Sequence, residues 1–184
     1  MHKMVVAVAA LSLAAPALAR QVGGVEFPDA VNVGGTELKL NGAGIRTRFV
    51  VKVYAGGLYL AEPSGDAEAI LAADAPKRVR MVFLRDVDKK KIMETYREGF
   101  ENNSAGPELG GLLAKLEQIG PALADMRRGG EMFVTYVPGK GTTVAAAGGS
   151  SVTVEGKDFA DAMFRNWLGP KPADPSLKGA FLGK

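Results

Sequence analysis

The sequence predicts an α+β domain, an antiparallel sheet with helices packed on one face. Segments rich in β-branched and aromatic residues, punctuated by Gly and Pro, cluster in two parts of the chain. A block of helical periodicity separates them, and one further helix follows the second cluster. No internal repeat is visible, and 184 residues suit a single domain.

The first cluster opens with short strands over residues 22–27 and 36–40, with turns at Pro28-Asp29 and Gly34-Gly35. Asn41-Gly42-Ala43-Gly44 reads as another turn. Residues 45–60 then read as one long strand, IRTRFVVKVYAGGLYL, in which Gly56-Gly57 marks a bulge or a close backbone approach. Ser64 is placed to cap a helix over 66–73, and 77–84 is a strand. Asp86 or Asp88 caps a helix running to about Asn103, whose apolar stripe is Ile92, Tyr96 and Phe100 with Met93 alongside. A second amphipathic helix spans 109–119, and a short turn or helix covers 121–126. The second cluster is a hairpin series over 131–137, 142–147 and 151–155, with turns at Pro138-Gly139 and Gly148-Gly149. A helix over 157–168 ends at Gly169-Pro170, and the tail that follows is expected to dock on the domain.

Residues 1–19 have the layout of a secretory leader: a cationic start at Lys3, an apolar stretch too short to span a bilayer, and the small-x-small run Ala17-Leu18-Ala19. Cleavage is expected between Ala19 and Arg20, and the protein is expected to be exported, to the periplasm in a Gram-negative host. Removing the 19-residue leader from 184 leaves 165 residues, enough for a real core, and takes one positive charge from the formal net of +3. No clustered basic stripe accompanies that mild excess, so nucleic acid is not an expected partner. No other apolar run approaches membrane-spanning length. Cys is absent and the one His, His2, lies in the leader, so thiol and imidazole catalysis are excluded from residues 20–184. No carboxylate cluster or phosphate-binding glycine loop points to a metal or nucleotide, and no cofactor is expected. No oligomeric state follows from the sequence.

LNGAGIRTRFVVKVYAGGLYL, the strand over 77–84, the Tyr96/Asn103 pair seven residues apart, and FADAMFRNWLG followed by DPSLK together resemble the chalcone isomerase superfamily over nearly all of residues 20–184. The resemblance implies an open-faced β-sandwich with a helical layer on one face of the sheet. Plant members close chalcones to flavanones, while related plant proteins bind fatty acids and do no chemistry, so fold does not settle function.

Carried over residue by residue, the resemblance makes Arg46 the cation that stabilises an enolate or holds a carboxylate. Tyr54 stands where the plant enzymes have Thr and the fatty-acid binders have Tyr, which shifts the balance towards carboxylate binding. Tyr96, Asn103 and Asn166 match polyphenol-contacting positions. Core packing is the competing reading for Tyr96, a helix-end cap for Asn103, and a plain sheet position for Arg46 and Tyr54. Trp167, next to Asn166, reads as core. On one straight strand Arg46 and Tyr54 share a face but lie roughly 26 Å apart. Either the strand folds or bulges between them, or Arg48 or Lys52 supplies the cation.

Three functions follow. The first is non-catalytic binding of a fatty acid or similar amphipathic carboxylate, with Arg46, Arg48 or Lys52 at the head group and Tyr54 and Tyr96 beside it. The second is an isomerase of the intramolecular-lyase type, using Arg46, Tyr96, Asn103 and Asn166. The third is a structural or partner-binding envelope protein. Tyr54 and the lack of a base with near-neutral pKa favour the first.

Overall fold

The computed structural model describes residues 19–146 and 150–184. The leader, apart from Ala19, and the turn at Gly148-Gly149 with Ala147 lie outside those residues. Strands β3 (Ala30–Val33), β4 (Thr36–Arg48), β5 (Val51–Leu60), β6 (Lys77–Phe83), β7 (Glu131–Val137), β8 (Gly141–Ala146) and β9 (Ser151–Val154) form one antiparallel sheet in sequence order. Helix α1 (Ala67–Ala72) links β5 to β6. Helices α2 (Lys89–Asn103) and α3 (Glu108–Glu117), with a 3-10 turn at Gly120–Ala122, link β6 to β7. Helices α4 (Lys157–Leu168) and α5 (Pro175–Phe181) follow the sheet. Among the described residues no helix is long and apolar enough to cross a membrane.

The main core lies between the sheet and the helices. Leu58, Val79, Met81, Met132 and Val134 from the strands meet Phe100, Leu116, Phe159, Met163 and Phe164 from the helices. A smaller cluster on the opposite face, around Phe27, Leu38, Ala55 and Tyr59, is covered by the hairpin β1 (Ala19–Val22) and β2 (Val25–Pro28). Helix α4 buries its apolar side almost completely, and α2 packs on it through Phe100–Phe159 and Tyr96–Trp167 ring contacts at 5.7 and 6.1 Å.

The expected order of elements is the observed one, with corrections at the first half of the sheet. Residues 22–27 are not one strand but parts of two, turning at Gly23-Gly24, both at positive φ. Asn41–Gly44 is not a turn: it lies inside β4, where helix α5 crosses the strand. A Cβ on Gly42 would lie within 2.0 Å of the Ala180 carbonyl oxygen, and one on Gly44 within 2.6 Å of the Ala180 methyl. The Asn41 amide donates to the carbonyls of Ser64 and Phe181, at 2.8 and 2.7 Å, pinning that crossing. The tail thus docks as expected, as a helix. Gly56 and Gly57 mark close approaches by Phe181 and Phe27.

Residues 45–60 are not one strand either. The chain reverses at Phe49-Val50, so β4 and β5 form a hairpin. Capping also differs from expectation. Asp66, not Ser64, caps α1, accepting from the Glu68 and Ala69 amides. Asp88 stands at the start of α2 without a side-chain cap bond, Asp86 accepts from Arg127 and Arg128, and Asp125 takes the Lys89 amide instead.

Candidate functional site

The β4–β5 hairpin removes the 26 Å separation of Arg46 and Tyr54. The two are direct cross-strand partners, and the guanidinium lies 5.8 Å from the centre of the Tyr54 ring. At the next residue of β4 the register slips: Thr47 pairs with Lys52, leaving Val53 as an extra residue in β5. That bulge breaks the alternation on which Lys52 was placed beside Tyr54. Val51, Val53 and Tyr54 turn towards the helices, and Lys52 turns away and is exposed.

Between this hairpin, β6, α2 and α4 lies a cavity of about 380 Å³, within the size range of small-molecule sites. Its deep wall is apolar, built from Met81, Phe83, Met132, Ile92 and Trp167. Of the residues singled out in the sequence, Arg46, Arg48, Tyr54, Tyr96 and Asn166 line it, and Lys52 and Asn103 do not. Asn103 ends α2 and ties it to the segment before α5. Its amide donates to the Gly99 and Lys171 carbonyls, and its oxygen accepts from the Lys171 amide at 2.9 Å. This is the helix-end role.

Asn166 touches the cavity; its amide is occupied elsewhere, and its buried oxygen has no hydrogen-bond partner among the described residues. Its amide donates to the Ala162 and Met163 carbonyls in its own helix. Its oxygen is pressed against Gly99 of α2, where any Cβ would overlap it at 1.7 Å. The α2–α4 crossing therefore needs this Gly–Asn contact.

Three other polar groups are differently placed. Tyr54 is buried, and its hydroxyl accepts a 2.8 Å hydrogen bond from the Trp167 indole N–H. Indole is only a donor, so the Tyr54 proton is left for another acceptor. The Tyr96 hydroxyl is buried with no partner, and so is Arg46 Nε. Among the described residues the Arg46 side chain forms neither a hydrogen bond nor a salt bridge. Burial pushes the Tyr96 pKa well above the usual phenol range; Tyr54 nearby adds to the shift and Arg46 opposes it. Burial also raises that of Tyr54, against the opposing Arg46 charge. Both phenols therefore stay protonated and act as donors. Asp174, the carboxylate whose charge acts on Tyr54, is committed to the α5 N-terminus and to the Thr47 amide. The floor of the cavity thus presents three donors, Arg46 Nε and the Tyr54 and Tyr96 hydroxyl protons, together with one buried acceptor that has no partner among the described residues, the Asn166 oxygen; a carboxylate or other oxyanion satisfies the donors.

Trp167 is buried, as a core residue is expected to be, and its indole N–H also fixes the direction of the Tyr54 hydroxyl. Ile92 belonged to the apolar stripe that carries Tyr96, so its place in the wall could be read from helical spacing. Arg85 and Lys91, which line the mouth, carried no spacing signal.

A family model described as chalcone isomerase-like matches residues 19–183. Among solved structures, the chain is similar to a fatty-acid binding protein of Arabidopsis thaliana, with a TM-score of 0.62 and 18% identity. That match covers 86% of this chain and 92% of the other. No curated protein matches the sequence.

Proposed function

This chain belongs to the chalcone isomerase-like family, and from that premise we propose that it binds a fatty acid or similar amphipathic carboxylate without transforming it. The observation that carries the reading is the set of unsatisfied donors, Arg46, Tyr54 and Tyr96, at the buried end of an apolar cavity. The carboxylate sits on the Arg46 guanidinium and accepts hydrogen bonds from the Tyr54 and Tyr96 hydroxyls, and the chain lies along Ile92, Met81, Met132 and Trp167. The fold shared with a plant protein named for fatty-acid binding supports it. So does the chemistry of the wall. With both phenols held protonated and no imidazole in residues 20–184, the cavity is better equipped to hold an anion than to move a proton. The leader layout of residues 1–19 supports the further reading that this binding takes place outside the cytoplasm, in the periplasm of a Gram-negative host. Sequencing of the secreted chain is then expected to begin at Arg20.

Native mass spectrometry of the exported protein tests the ligand. The expected result is an adduct that denaturation releases as a fatty acid and that Arg46→Ala loses. A ligand-free protein that also takes up no added fatty acid overturns the reading.

A further inference from the structure

Among the described residues three large apolar side chains are exposed, and they are consecutive: Phe49 at 92%, Val50 at 93% and Val51 at 38%. They form the tip of the β4–β5 hairpin, and Phe49 and Val51 edge the mouth of the cavity. Phe49 is also the one described residue other than glycine at positive φ, 56°. Two-residue hairpin turns favour glycine where φ is positive, and an L side chain there is strained. The exposed ring has no packing within the fold to offset that strain.

The charge around the tip is mostly positive. Arg48 and Lys52 flank it, Arg85 and Lys91 share the cavity mouth, and Lys89 and Lys90 precede Lys91 in the first turn of α2; all six are exposed. Of the nearby carboxylates, Asp86 is held by Arg127 and Glu94 by Lys91, Asp125 accepts from the Lys89 amide, and Asp88 and Asp125 have no ion pair among the described residues. We propose that this hairpin tip is a docking device for an anionic lipid surface. Phe49 and Val50 enter the bilayer interface, the surrounding cations meet headgroup phosphates, and the cavity mouth opens onto the membrane. A second copy of the chain fits less well, because two side chains bury far less than a stable dimer needs and the surrounding cations repel their own kind.

The test is co-sedimentation of the exported protein with vesicles of pure phosphatidylcholine and with vesicles of equal parts phosphatidylglycerol and phosphatidylcholine. Pelleting with the anionic vesicles, weakened by salt, is expected. Phe49→Gly is expected to weaken partitioning by about tenfold while leaving the melting temperature unchanged or raised, since glycine relaxes the turn. A Lys52→Glu, Lys89→Glu, Lys90→Glu triple variant, which leaves the cavity lining untouched, is expected to abolish the preference for anionic lipid. The proposal is overturned by any of four results: no pelleting, equal pelleting with both vesicles, wild-type pelleting of Phe49→Gly, or a wild-type dimer in vesicle-free solution that Phe49→Gly converts to monomer. Vesicle binding does not require an occupied cavity, so this result and the ligand measurement stand or fall separately.

Discussion

Tyr96 carries a conflict between stability and function. Its ring packs edge-on against Trp167, as its place in the apolar stripe of α2 requires, but its hydroxyl is buried without a partner. An unsatisfied buried hydroxyl destabilises the empty protein by about 1–3 kcal/mol. Tyr96→Phe is therefore expected to raise the stability of ligand-free protein, by about 1 kcal/mol in urea titration, and to weaken fatty-acid binding by about tenfold. A stability loss would mean the hydroxyl has a partner in the fold; unchanged binding would remove it from the site. Asn103 is the contrasting case. Three hydrogen bonds bind it to Gly99 and Lys171, away from the cavity. Asn103→Ala is expected to cost about 1–3 kcal/mol of stability with ligand affinity unchanged, the two readouts separating a helix-end role from a ligand contact. Both readings of each residue were open in the sequence, because helical spacing gives the face of a side chain and not the partner of its polar atom.

At the scale of elements, the site depends on how α5 crosses β4. Gly42 and Gly44 let the helix approach, and Asp174 at its N-terminus accepts from the Thr47 amide, next to Arg46 in the strand. Gly42→Ala forces a methyl group towards the Ala180 carbonyl. The expected loss is about 1–3 kcal/mol, together with weaker fatty-acid binding as the Arg46 strand loses its brace. Isothermal titration beside urea denaturation checks both, and intact affinity in a destabilised variant would show that α5 does not set the Arg46 position. This crossing was only half legible. Helix α4 spans 157–168 and β7 spans 131–137, as expected, because periodicity and Gly or Pro boundaries coincide there. Asn41–Gly44 misled because glycine serves a turn and a close approach equally well, and only the partner, 140 residues away for Asn41 and Phe181, distinguishes them. The β4–β5 reversal was hidden for the opposite reason. Phe49 and Val50 have no turn chemistry, so a strained hairpin read as continuous strand. The resulting Val53 bulge is why Lys52 could not be placed by alternation, although the Arg46–Tyr54 pairing it accompanies is what assembles the floor.

For the whole molecule, one buried cation shapes the pH dependence of stability between about pH 8 and 10. Lys77 begins β6 and is 2% exposed. Its ammonium donates to the Ile70 and Ala73 carbonyls at the end of α1, at 2.7 and 2.9 Å, and lies near the rings of Tyr136 and Phe164. Burial first, and the Lys157 charge second, lower its pKa to about 8. An unfolded lysine titrates near 10.4. Between these values the unfolded chain binds more protons than the folded one, so stability rises with pH, by on the order of 2–3 kcal/mol from pH 8 to 10. The tyrosines act with the opposite sign. Burial raises the pKa of Tyr54, Tyr59 and Tyr96, and burial with the Asp74 hydrogen bond brings Tyr136 up to about 12. Above about pH 10, where unfolded tyrosines ionise, the folded state holds the extra protons and stability falls. The protein is thus expected to be most stable near pH 9–10 rather than at neutrality. Urea midpoints measured from pH 7 to 11 are expected to trace that maximum. In Lys77→Met the rising limb should vanish while the tyrosine-driven fall remains. The slope is the informative quantity, because the absolute stability of the variant also reflects two carbonyls left without their donor. A wild-type curve flat between pH 8 and 10, or one whose slope survives Lys77→Met, would mean that water reaches the ammonium and that the α1–β6 junction is more open than its packing implies.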